Sequence, residues 1–266
     1  MPSTLHVTAA GNGVTTITLA RPGKKNAIDS RMWDELEEAL RALRQEVYAG
    51  EVRCVVVTGE GDGFCSGADL TDPARAERPA GPAALALGML RVNDVAIAWH
   101  RLPVPTIAAV NGVAAGAGCN LALGADIVVA SDRARFTEIF ARRGLVVDFG
   151  GSYLLPRLVG LHRAKELVFT GRVVDAAEAA SIGLVNRVVA HAELMPTVAR
   201  LAAEIAAGPP IALRYSKAAL NASLSHTLEE ALDFEGVAQG LALSSADVAE
   251  ALAAFVDKRE PKFTGR

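Results

Sequence analysis

The sequence predicts an α/β protein, and three observations carry the prediction. Two stretches, 52–70 and 105–125, each run from an apolar segment into a glycine-rich turn and then into small residues of helical character. Hydrophobic residues make up 51% of the chain but aromatic ones only 5%, a composition that suits Ala-, Val- and Leu-rich helices packed on a buried sheet. Beyond about residue 190 the pattern is almost wholly helical.

Taken in order, residues 5–9 and 14–19 alternate around Gly11-Asn12-Gly13, which predicts a hairpin. Residues 21–28 form a loop, and Asp29 or Ser30 caps a helix that places Met32, Leu36, Leu40 and Leu43 on one face. The β-branched run 52–58 is a buried strand, 59–63 a turn, and 64–70 reads as the start of a helix. Proline, alanine and charge dominate 71–83, the composition of a mobile loop or lid. A helix over 84–101 ends before Pro103, and 105–110 is a strand. The small-residue stretch Asn111–Asn120 follows, with a helix from Leu121 and a strand over 126–130. Helices are expected at 150–159, 162–170, 175–181, 191–206, 209–223, 226–241 and 245–257, with one strand at 184–189. The change of pattern divides the chain into 1–195 and 196–266, the second part covering the core or a partner subunit.

Several classes of function are excluded early. A net charge of −3 gives no footprint for nucleic acid, and Arg133, Arg135, Arg142 and Arg143 read as a solvated face or subunit contacts. The first residues lack the basic and apolar regions of a secretory signal, and Asn111, Asn120 and Asp126 interrupt the most apolar region, so no membrane span is expected. Cys54, Cys65 and Cys119 have no CxxC spacing, which points to a reducing, cytoplasmic setting and no zinc. Gly116-Ala-Gly118-Cys-Asn-Leu121 lacks the last glycine of a dinucleotide fingerprint, and neither a P-loop nor a GxSxG elbow occurs. The five histidines are scattered, and Cys65, although near an expected helix start, is read as a packing residue.

What remains is two turns, 63–69 and 111–118, each expected to open a helix. The near absence of large side chains in 111–120 suits either tight packing or the approach of backbone N–H groups to a ligand. Brought side by side, two such N–H groups make an oxyanion hole, which serves chemistry through an enolate or a tetrahedral adduct. The ionisable side chain set in a third glycine-flanked turn is Asp148, which also suits an N-cap of the helix at 150–159.

Phe64-Cys-Ser-Gly-Ala-Asp-Leu70, Asn111-Gly-Val-Ala-Ala-Gly-Ala-Gly118 and Asp126-Ile-Val-Val-Ala130 resemble the signature regions of the crotonase (enoyl-CoA hydratase/isomerase) superfamily, and the likeness extends over essentially the whole chain. The resemblance implies a spiral of ββα units over 1–195 that binds acyl-CoA. It implies a helical region over 196–266 for trimerisation and pocket cover, and homotrimers or dimers of trimers. Coenzyme A is then part of the substrate, with no separate cofactor. The backbone N–H groups of Ala68 and Ala117 match those that hold the thioester oxygen. Lys25, Ala27, Ser66, Asp69 and Leu70 match the path of the adenine and pantetheine, Gly116, Asn120 and Phe140 join the substrate-binding set, and Phe263 closes the pocket.

Hydratases of this family carry glutamates at the positions of Asn120 and Phe140 to hold and activate water, and this chain has neither. Glu138, two residues away, is expected to point elsewhere. The run Gly144-Leu-Val-Val-Asp-Phe-Gly-Gly-Ser152 resembles the branch that isomerises ring epoxides and shifts enoyl-CoA double bonds, with an acid at Asp148. The resemblance therefore implies an isomerase in which Asp148 removes and returns a proton, burial beside Phe140 and Phe149 raising its pKa. A hydratase with an atypical water site, a non-catalytic acyl-CoA binder, and a thioesterase or dehalogenase using the same hole are the alternatives.

Overall fold

The computed structural model describes residues 3–75 and 81–266. Most of the loop expected at 71–83 is described, including a single 3₁₀ turn at Pro73–Arg75, but its residues 76–80 lie outside the described residues. The chain opens with the expected hairpin, β1 (Leu5–Ala9) antiparallel to β2 (Val14–Leu19). Helix α1 (Ser30–Ala49) follows. Asp29 caps it, its carboxylate accepting from the Met32 N–H at 2.8 Å, and Gly50 ends it in a left-handed conformation. Met32, Leu36, Leu40 and Leu43 are all buried on one face, as their spacing requires.

Six strands form the larger sheet in the order β1-β2-β3-β5-β7-β10, with β3 at Cys54–Gly59, β5 at Thr106–Val110, β7 at Ile127–Ser131 and β10 at Arg187–Val189. Beyond the hairpin its pairings are parallel, and β3 and β5 are buried along their whole length, which is why they read as continuous apolar runs. A second sheet joins β4 (Gly63–Cys65), β6 (Val113–Ala115), β8 (Arg135–Thr137) and β9 (Val174–Asp175). Each of β3, β5 and β7 passes through a short turn into a strand of this second sheet, and the two sheets keep the same order. Helices follow each pair: α2 (Pro82–His100) after β4, α3 (Ala117–Leu123) after β6, and α4 (Gly151–Val159) with α5 (Leu161–Thr170) after β8. This repeated strand–strand–helix step is the crotonase-like spiral.

The second sheet corrects the sequence reading. Residues 64–70 do not start a helix: Gly63 and Cys65 pair in parallel with Val113 and Ala114, and Ala68 bridges Ile28. Strands of two or three residues set in glycine-rich or irregular sequence carry no periodicity of their own, so β4, β6, β8 and β9 were not foreseen. The helix expected from Leu121 begins earlier, at Ala117.

The change of pattern expected between 195 and 196 lies within an element. It falls inside α7 (Leu194–Ala206), which follows the short helix α6 (Ala176–Ser181) and β10. The buried face of α7, Leu194, Val198, Ala202 and Ala206, packs with Val14, Cys54, Val56, Ile107, Ala109 and Val129 on the back of the large sheet. The helix is thus part of the core. The helices that leave it are α8 (Pro210–Ala222), α9 (Leu228–Leu243) and α10 (Ala246–Asp257). Lys217 anchors α8 to the body through a 2.7 Å ion pair with Asp126 and a 2.9 Å bond to the Val104 carbonyl. Among the described residues no helix is long and apolar enough to cross a membrane.

Candidate active site

The site is built where the parallel strands end. Asn111, just past β5, donates its side-chain N–H to the carbonyls of Gly59 and Gly61 at 2.9 and 2.8 Å and also reaches Gly63. Asn26, fully buried with a left-handed backbone, donates to the Glu60 and Gly63 carbonyls from the other side and accepts from the Arg21 N–H. Together the two amides fix the turn between β3 and β4. An asparagine in a glycine-rich loop is a weak signal by itself, and the scaffolding role of Asn26 was not foreseen.

The two glycine-rich turns meet. A Cβ placed on Gly118 would lie 2.2 Å from the Cys65 carbonyl oxygen, and one on Gly67 would lie 2.7 Å from the Ala115 carbonyl oxygen and 3.6 Å from the Ala117 nitrogen. No side chain fits between these backbones. The Ile28 N–H bonds the Gly67 carbonyl at 2.8 Å and the Asp69 N–H bonds the Ile28 carbonyl at 2.8 Å, so the Ala68 N–H points away from that bridge. Ala117 is the first residue of α3, where an N–H has no partner inside the helix. Neither N–H is taken by a backbone carbonyl among the described residues. A helix dipole supports only Ala117, because the helix expected after residue 64 does not form.

Gly116 sets the entry to α3 with φ 53° and ψ −126°, a conformation that L side chains rarely adopt, and Phe140 lies 3.5 Å from where its Cβ would be. Phe140 is buried and Asn120 fully so. The Asn120 side-chain N–H reaches the Asp148 carbonyl at 2.9 Å, tying the helix that begins at Ala117 to the turn that carries Asp148. That turn is tight: Phe149 (φ 50°) and Gly150 (φ 81°) are both left-handed, and Phe149 is held there by burial against Trp33, ring centroids 5.8 Å apart. Asp148 does not cap α4. The N-cap is Gly150, without a side-chain bond, and it is the Asp148 carbonyl that accepts from the Gly151 N–H. The carboxyl is left half-buried with Oδ1 free of any donor among the described residues, and burial pushes its pKa up to about 6.

Glu138 departs from expectation. It is 3% exposed, and its carboxylate turns toward α3, accepting from Asn120 at 3.3 Å and from the Cys119 thiol. Burial, joined by repulsion from Asp148 and opposed by those two bonds, raises it to about 7. No local pattern signals this, since the irregular backbone after β8 turns the side chain inward. Burial also pushes Cys65 up to about 12, and Cys119 well above its ordinary value, so both thiols are unreactive.

The remaining expected ligand contacts divide. Lys25 and Ser66 lie together: the Ser66 N–H bonds the Lys25 carbonyl at 3.0 Å, and the Lys25 ammonium, half exposed, is 3.5 Å from Asp62. Ala27 is buried beside them, and Leu70 is 50% exposed. Asp69 is 7% exposed, and its carboxylate is occupied within the loop by Arg21 at 2.9 Å and by Thr71. Burial alone would raise the Asp69 pKa, but those bonds outweigh it and hold it at about 2. Its carboxylate thus braces the loop. Phe263 is not brought to the site of its own chain. Its carbonyl accepts from Arg53 at 3.0 Å, and Arg53 precedes β3 at the end opposite Gly59. Among the described residues no three acidic, histidine or cysteine side chains are grouped to hold a metal.

Residues 9–266 match the model of the family described as enoyl-CoA hydratase/isomerase. A 1,2-epoxyphenylacetyl-CoA isomerase of Escherichia coli (strain K12) is 41% identical over 256 residues, 96% of each chain. A short-chain-enoyl-CoA hydratase of Clostridium acetobutylicum is 37% identical over 248 residues, 93% of this chain and 92% of that one. Among solved structures, an enoyl-CoA hydratase from Bacillus anthracis superposes with a TM-score of 0.92 at 32% identity, covering 99% of this chain and 100% of that one. Relatives named for both activities match this chain over more than nine-tenths of its length, and the chain belongs to the enoyl-CoA hydratase/isomerase family.

Proposed function

We propose that the protein is an acyl-CoA isomerase that moves a proton along the acyl chain, with the Ala68 and Ala117 N–H groups binding the thioester oxygen and Asp148 as the sole acid–base group. The observation that carries this reading is the Asp148 carboxyl. It is half-buried, has an oxygen without a donor among the described residues, and sits on a turn that Asn120 ties to the helix opened by Ala117. The ionised carboxyl takes a proton from a carbon conjugated to the thioester. The C–H electrons pass into a dienolate, whose oxygen the two N–H groups hold, and the protonated carboxyl then returns the proton to a different carbon. Each main-chain donor supplies roughly 3 kcal/mol to the transition state. One carboxyl suffices because no water is added, and opening of a ring epoxide would use the same hole. Lys25, Ala27, Ser66 and Leu70 remain the proposed contacts of the coenzyme A moiety, with Gly116 and Phe140 walling the acyl end and Phe140 keeping it dry.

Hydration is the second reading. It is favoured by the buried Asn120 Oδ1, which also lacks a donor among the described residues and can accept from a water. Incubation with 2-enoyl-, 3-enoyl- and aryl-CoA esters in heavy water separates the two. Isomerisation puts deuterium on the chain without adding oxygen, whereas hydration removes the enoyl absorbance. Asp148→Asn is expected to abolish deuterium exchange at the α and γ carbons while CoA-ester binding changes less than about threefold. Unchanged exchange in that variant removes the assignment. Self-association into trimers or dimers of trimers belongs to the same proposal and is supported by the apolar side chains left exposed on α9 and α10.

A further inference from the structure

Behind the proposed base lies a second carboxyl that the mechanism above does not use. Glu138 follows β8, and its Oε2 accepts from the Asn120 side-chain N–H, which also holds the Asp148 carbonyl. Three side-chain oxygens are collected here with no donor among the described residues: Asn120 Oδ1, Glu138 Oε1 and Asp148 Oδ1. A glutamine would accept from Asn120 as well as a glutamate does, and would spare the cost of burying an ionisable group. What a carboxyl adds at this position is the ability to gain or lose a charge.

The groups that face Glu138 are few. On α3 they are the Cys119 thiol, which stays protonated, and neutral Asn120; across the site is Asp148. Around the small internal space beside Glu138, β8, α4, α5 and β9 contribute Phe136, Leu155, Leu167 and Val174, all apolar. The one cation bordering that space, Arg172, has its guanidinium bound by Glu166 and Glu178 at 2.9 and 2.6 Å. No described cation is left to neutralise Glu138, and Asp148 is the other charge that acts on it.

We propose that Glu138 is a positioning residue of the same proton transfer, holding the Asp148 turn through Asn120 and setting, by its own charge, how firmly Asp148 keeps a proton. The inference rests on the reading of Asp148 as the acid–base group. While Asp148 is ionised, repulsion keeps a proton on Glu138, and Asp148 stays weak enough as a base to give its proton back. Once Glu138 ionises too, Asp148 binds the abstracted proton more tightly and returns it more slowly. The rate therefore has an alkaline limb that belongs to Glu138, in addition to the acid limb of Asp148.

The test is the pH dependence of deuterium exchange into a 3-enoyl-CoA ester, for the wild type, Glu138→Gln and Asp148→Asn. Glu138→Gln, which keeps the acceptor for Asn120, is expected to retain the acid limb and lose the alkaline one. A purely structural role lowers the rate at every pH and leaves the profile's shape unchanged. An unaltered alkaline limb, or none in the wild type, overturns the inference. A second measurement needs no turnover: in protein labelled with ¹³C at glutamate carboxyls, Glu138 is expected to titrate at lower pH in Asp148→Asn than in the wild type. An unmoved titration overturns the coupling even if Glu138→Gln fails to fold. If Asp148→Asn still exchanges substrate protons, the acid–base assignment itself falls; if it is inert and Glu138 shows no coupling, only the present inference falls.

Discussion

Two buried carboxyl groups that repel one another are costly for a fold, and at the residue scale that cost is measurable. A buried acid whose folded pKa is raised destabilises the protein as pH climbs from its unfolded to its folded value, because the unfolded chain releases the proton sooner. For Glu138 that window runs from 4.5 to about 7, and for Asp148 from 3.8 to about 6. Above both windows the fold carries the full penalty. Glu138→Gln is therefore expected to stabilise the protein at pH 8 by about 1–3 kcal/mol and to change little at pH 5, read from urea midpoints at the two pH values. A gain that is equal at both values would show that the ionisation of Glu138 is not its source. Within the Asp148 window activity should move the opposite way from stability: with Asp148 needed as an anion, exchange is lost as pH falls through about 6.

At the scale of elements, the active geometry depends on two backbones approaching without side chains between them. Gly118→Ala places a methyl group 2.2 Å from the Cys65 carbonyl oxygen, an overlap with main chain that no rotamer relieves. It is expected to cost roughly 2–4 kcal/mol and to separate Ala68 from Ala117, so that exchange activity falls at least tenfold in whatever protein folds. A soluble Gly118→Ala variant with full activity would mean that the two turns need not meet. Helix α8 depends on a different contact. Lys217 is 8% exposed, and burial lowers its pKa while Asp126 opposes that shift. Lys217→Ala leaves Asp126 without its ammonium and is expected to lower the stability of the chain by roughly 3–5 kcal/mol, checked by denaturant unfolding.

At the scale of the molecule, the C-terminal helices are anchored but not enclosed. No residue of α9 is buried, and Leu228, Leu232, Val237 and Leu241 are 70%, 55%, 69% and 45% exposed. On α10, Phe255 and Val256 are 84% and 77% exposed. Burying such a surface is favourable by about 25 cal/mol per Å², and monomeric proteins rarely leave so large an apolar face in water. The intact chain is therefore expected to sediment as an oligomer. Leu228→Glu combined with Leu232→Glu is expected to shift it toward the monomer while leaving the far-ultraviolet circular dichroism unchanged. A wild-type monomer at micromolar concentration would contradict the expectation.

The sequence by itself determined the long elements, because their buried faces recur at fixed spacing: Met32, Leu36, Leu40 and Leu43 along α1, and the continuous apolar runs of β3 and β5. It also offered the candidate site, through the glycine-rich turns at 63–69 and 111–118 and, by resemblance to the family, through the residues at 120 and 140 that are not glutamate. Only the tertiary structure decided the rest. Strands as short as β4 and β9 have no pattern of their own and exist because a neighbouring strand supplies their bonds. The same holds for single side chains. Asp148 suits a helix cap in sequence but turns its carboxyl away from α4, and Glu138 suits the surface but is drawn beneath Asn120. Local sequence carries periodicity and turn chemistry, whereas the direction of one side chain in an irregular segment is fixed by what packs around it.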